Sequence, residues 1–152
     1  MAHAAGEIAI FSPLVVAVAV TFCTIVVHAV SLSAIVQFVR HERDVGHAGV
    51  SFWRDVLIAT GAILFALAAH LVDVSAWGLV FVLCGEFHHL APAFYHSAVN
   101  YTSLGYGDVV MSAAWRLLGP LETTDGMLMF GVSTAIIIAV IQRMIQTRLH
   151  VV

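Results

Sequence analysis

Seven consecutive residues, Thr102-Ser103-Leu104-Gly105-Tyr106-Gly107-Asp108, carry the most informative chemistry of this chain. The chemistry lies in the backbone. Two glycines flank a tyrosine, and residues without a Cβ accept φ values that others avoid, so successive carbonyls can turn toward a common axis. Several such strands side by side would stack their carbonyl oxygens into rings. Those rings can replace the water shell of a dehydrated potassium ion.

Such a strand needs a rigid, dry setting, and the composition supplies one. Of 152 residues, 61% are hydrophobic and 10% charged, with mean hydropathy +1.00. A soluble domain has about 25% charged residues, so the chain reads as a membrane protein. Cys23 and Cys84 lie in apolar runs and read as small buried hydrophobes. A formal net charge of −3 with no basic tract argues against nucleic acid as a partner. The residues before the first apolar run contain no Lys or Arg, and the run is too long for a signal peptide core, so it is expected to remain as a span.

Three runs are long enough to cross a bilayer, which takes about 20 apolar residues. They cover residues 8–39, 56–87 and 120–147, with residues 1–7 as an outer N-terminus, 40–55 as a cytoplasmic loop and 149–152 as a tail. Between the second and third runs, residues 91–102 form a segment too short to span, since each helical residue rises about 1.5 Å against a core of about 30 Å. A short helix handing over to an extended strand at 103–108 is the natural reading. Irregular backbone at that depth is tolerated where protein buries it or it lines a water-filled path.

The chain has no Lys and six Arg. Arg40, Arg43 and Arg54 lie in or beside the first loop, and Arg143 and Arg148 follow the third run. With three spans these places share one side, which the positive-inside rule makes cytoplasmic. The N-terminus and the loop carrying Arg116 then lie outside, in an inner cell membrane crossed several times.

The run from Ala93 to Asp108, with a span on either side, resembles the pore helix and selectivity filter of tetrameric potassium channels. The resemblance covers a pore module at 56–148. It implies an all-α membrane protein with three transmembrane helices, a re-entrant pore helix and a filter, assembled as a homotetramer in lipid. It implies a passive potassium-selective channel and no enzyme. K+ is the permeant ion rather than a cofactor, and it would be bound by the carbonyls of Ser103, Leu104, Gly105 and Tyr106 between Thr102 and Gly107. Asp108, Tyr95, His96 and Asn100 would support the filter. Several residues depart from the family pattern. Ser103 stands where Thr is usual and implies a looser innermost site. Leu104 replaces Val or Ile, Tyr95-His96 replace a Trp pair, and Val99 replaces a buried Glu in some members. A nonselective cation channel and a non-conducting regulatory subunit of another channel are the alternatives.

Other polar residues invite a role in gating. His70 and Asp73 share a face of the second span, level with Thr21 and Thr24 of the first. These four read as an interhelical clasp, or His70 and Asp73 as a proton-sensing pair that His28 could join. A membrane enzyme or proton-coupled carrier on His28, His70 and Asp73 would need a nucleophile–base pair or metal-ligand spacing, and neither is evident. Glu122 and Asp125 complement the N-terminus of the third helix, concentrate cations at the outer mouth, or brace the pore helix through Asn100. Gly126 and Gly131 are candidate hinges or close-packing points, with Gly126 nearer the family's hinge position. Glu86-Phe87-His88-His89 reads as an exposed turret. No arginine repeat marks a voltage sensor, and the residues after the third span leave no room for a ligand-binding domain. An unidentified gating partner therefore stays open.

Overall fold

The computed structural model describes residues 9–47 and 51–150. It contains four helices: α1 Phe11–Asp44, α2 Phe52–Leu83, α3 Leu90–Tyr101 and α4 Leu118–His150. The first, second and fourth are each long and apolar enough to cross a membrane, so the protein is an all-α, multi-pass membrane protein. The third, twelve residues long, is not.

The helix ends differ from those expected of the apolar runs. α1 continues past Val39 through Asp44, because His41-Glu42-Arg43-Asp44 contains no helix breaker. It ends at Gly46, whose φ of +74° permits a left-handed cap. There the Gly46 and His47 amides donate to the carbonyls of Arg43 and Glu42 at 2.9 and 2.8 Å. α2 begins at Phe52, earlier than its apolar run, and closes at Leu83 through the same device. Gly85 has a φ of +79°, and the Gly85 and Glu86 amides reach back to Val82 and Phe81. Glu86 and Phe87 thus lie beyond α2. α4 starts at Leu118, with Pro120 in a first turn whose amides have no intrahelical acceptor.

The residues fall into two compact units, both drawing on α1, α2 and α4. One comprises Met1–Ile25 and Val72–Met129, and its core is built on Trp77, Phe81, Ala93, Tyr101 and Leu118. The other comprises Val26–Leu71 and Phe130–Val152, with Ile35, Ile58, Ala62, Ala66, Val140 and Met144 at its centre.

Candidate functional site: a glycine-punctuated strand on a buried polar lattice

The segment after α3 leaves the helix in an ordered way. The Ser103 amide donates to the Asn100 carbonyl at 2.8 Å, and the Leu104 and Gly105 amides both reach the Val99 carbonyl, at 3.0 and 3.2 Å. From there the strand has no regular structure through Tyr106. Its backbone alternates in sign: Ser103, Gly105 and Gly107 have φ of +57°, +58° and +71°, while Leu104 and Tyr106 do not enter positive φ. Alternation of left- and right-handed residues turns every second peptide back, so that successive carbonyls share one side. A Cβ added to Gly105 or Gly107 would meet nothing within 4 Å. Glycine stands at both for its torsion, not for space. Ser103 adopts the same region with a side chain, at a cost of about 1–2 kcal/mol, and its hydroxyl donates to the Thr102 carbonyl at 2.6 Å. Thr102 itself bonds back to the Ala98 carbonyl.

At the far end of the strand, the Tyr95 hydroxyl donates to the Asp108 carboxylate at 2.8 Å. That bond, with desolvation second, holds the Tyr95 proton above the usual phenol range. His96 faces inward from α3, its ring 5.4 Å from Phe81 and 5.3 Å from Phe87. Its Nε2 lies 3.0 Å from the amide nitrogen of Asn100. Glu86 accepts from both the amide and the hydroxyl of Ser112, tying the segment after α2 to the one after the strand. A hollow of about 470 Å³ lies behind the strand, lined by His96, Asn100, Gly105, Gly107 and Thr123 among others.

Beneath α3 lies a set of buried carboxylates. Glu122 and Asp125 are 0% and 2% exposed, which excludes them from concentrating cations at a mouth. Glu122 accepts from the Ser97 hydroxyl, which also bonds the Val74 carbonyl of α2. Asp125 accepts from the Thr24 hydroxyl at 3.0 Å and from the Trp77 indole at 2.9 Å. Asp73, fully buried, accepts from the Tyr101 hydroxyl at 2.8 Å. Bonds to further elements join these residues. Thr24 reaches α4, Thr21 contributes its backbone carbonyl to Thr24, and α3 supplies a partner for Asp73. Glu122 braces α3 through the Ser97 hydroxyl and, as expected, through the Asn100 side chain. The Asn100 carbonyl is held as well, by the Thr123 hydroxyl at 2.9 Å. His70 lies in the other unit, its ring 4.8 Å from His28 and stacked 4.4 Å from Phe130.

Two glycines let the helices approach. A Cβ on Gly126 would overlap the Tyr101 carbonyl oxygen, so this residue seats the end of α3 against α4. Of the two roles expected of it, hinge and close-packing point, this is the close packing. Gly131 would meet nothing within 4 Å. Gly78, which sequence reasoning passed over, brings α2 onto the α3 backbone: its added Cβ would lie 3.2 Å from the Phe94 amide nitrogen. Trp77 and Ser97 were passed over as well. A tryptophan in an apolar run and a serine in a pore helix look ordinary until their partners are known.

Residues 69–143, the C-terminal part of α2, α3, the strand after it and most of α4, match the family model described as an ion channel. That match is consistent with the potassium-channel family the sequence resembles. No curated protein and no solved structure gives a significant match.

Proposed function

We propose that the protein is a passive potassium-selective channel in which four copies surround one axis. Each copy contributes the strand Thr102 to Gly107, and K+ is coordinated by the carbonyls of Ser103, Leu104, Gly105 and Tyr106. The observation that carries this reading is the alternation at Ser103, Gly105 and Gly107, on a strand tied to the end of α3. Leu104 and Tyr106, 54% and 66% exposed on one chain, are the surface that neighbouring copies would cover. Asp108, Tyr95, His96 and Asn100 support the filter. Ions pass by displacement between adjacent sites that bind strongly enough to be entered and weakly enough to be left. The N-terminus is outside and the arginine-rich ends are cytoplasmic.

The test is ion flux into liposomes holding the purified protein alone, under a potassium gradient and then a sodium gradient. Barium-sensitive potassium flux far above sodium flux supports the proposal. Equal flux of both ions replaces it with a nonselective cation channel, the outcome that Ser103 and its hydroxyl turned to Thr102 would explain. Flux that appears only when another channel protein is added replaces it with a regulatory subunit.

A further inference from the structure

The unit that holds no part of the filter carries its own chemistry. Arg40 and Arg43 stand one turn apart on α1, immediately after its apolar run, and Arg143 stands on α4. All three line one groove of about 320 Å³, whose wall includes Val36, Ile136 and Ala139. Three of the chain's six basic residues therefore meet at one mouth, and among the described residues no acidic side chain lines it. Arg43 pairs with Asp44 at 3.1 Å, but both side chains are well exposed, at 41% and 66%, and such pairs add little and exchange readily.

We propose that this groove binds a phospholipid with a net negative headgroup. One acyl chain lies along Val36, Ile136 and Ala139, and the phosphate sits against the three guanidinium groups. The apolar wall ends where the arginines begin, which is the boundary between acyl chains and headgroups in a helix of this length. Guanidinium groups bind phosphate in a planar, paired geometry, and basic pockets between membrane helices recognise anionic headgroups. A free phosphate would leave the apolar wall unused. A zwitterionic lipid would bring its own cation to a mouth that already holds three. The site also gives α1 a role, since that helix lies outside the segment matched to the ion-channel family.

The test is native mass spectrometry of the full-length protein in detergent, titrated with phosphatidylglycerol or phosphatidylcholine. Phosphatidylglycerol is expected to bind more tightly. Arg40→Gln, Arg43→Gln and Arg143→Gln should each weaken it by roughly fivefold, the equivalent of about 1 kcal/mol per arginine. Arg54→Gln, which removes equal charge away from the groove, should leave binding unchanged. Ala139→Phe keeps every charge and fills the wall, and should weaken both lipids. Helical circular dichroism equal to wild type establishes that each variant folds. Equal affinity for the two lipids would overturn the proposal. So would an equal loss in Arg54→Gln, binding untouched by Ala139→Phe, or displacement of the lipid by millimolar inorganic phosphate. The readout is binding, so its failure is distinct from failure to conduct potassium.

Discussion

The two units bury different things. The unit of α3 and the glycine-punctuated strand closes over Thr24, Asp73, Ser97, Glu122 and Asp125, and hydrogen bonds from Tyr101, Trp77, Ser97 and Thr24 hold those carboxylates in place. The other unit packs Ile35, Ile58, Ala62, Ala66, Val140 and Met144 against one another. Apolar contacts are non-directional and tolerate small slides. Hydrogen bonds to buried carboxylates do not, because an unmatched polar group in the membrane interior is costly. The comparison teaches where this chain requires position and where it requires only cohesion. Position is specified beneath the strand that the proposed function sets on the ion path.

The sharpest way to break that contrast is at the strand itself. Gly105→Ala places a Cβ at a φ of +58° and should turn a carbonyl away. Potassium-selective flux should be lost, although the intrinsic strain is only about 1–2 kcal/mol. Unaltered selective flux in this variant would remove the strand from the ion path.

Next comes the seat of α3. Gly126→Ala drives a Cβ into the Tyr101 carbonyl and should cost about 1–3 kcal/mol, seen as a lower thermal midpoint in detergent together with weaker selectivity. Gly131→Ala has open space and should be neutral or stabilising by up to about 1 kcal/mol. Equal behaviour of the two variants would mean that close approach is not what Gly126 provides.

A smaller effect separates the two kinds of core. Trp77→Phe leaves Asp125 with one donor fewer and should cost about 1–2 kcal/mol, with a rise in the sodium-to-potassium flux ratio. Ile58→Val in the apolar unit should cost about 0.5–1.5 kcal/mol and leave that ratio unchanged. If both variants lower stability without touching selectivity, the polar lattice is only structural. Smallest of all, Tyr95→Phe removes one exposed hydrogen bond to Asp108 and should show as faster decline of current during sustained flux.

Much of the architecture was legible because it rests on patterns local in sequence. Three apolar runs longer than a bilayer requires gave three helices able to span, and a twelve-residue segment cannot cross whatever its packing. Gly105 and Gly107 announced a strand with unusual torsions through their missing Cβ. Helix ends were less legible. Charged residues after Val39 read as a loop, yet nothing in them stops a helix before Gly46. The partners of buried polar residues were not legible at all. Counting along two helices sets Thr21 level with Asp73 and Thr24 level with His70, but depth says nothing about which neighbour lies beside a side chain. Gly126 shows the same limit, since a hinge and a close approach share one residue type. Only the position of the Tyr101 carbonyl distinguishes them.

The most direct test of the central claim is the reversal potential of the purified protein in a planar bilayer, with potassium on one side and sodium on the other, for wild type and Gly105→Ala. The account predicts a wild-type reversal potential far from zero in the direction set by potassium, collapsing toward zero or giving no current in Gly105→Ala. A wild-type reversal potential near zero, or one that Gly105→Ala leaves in place, would contradict it.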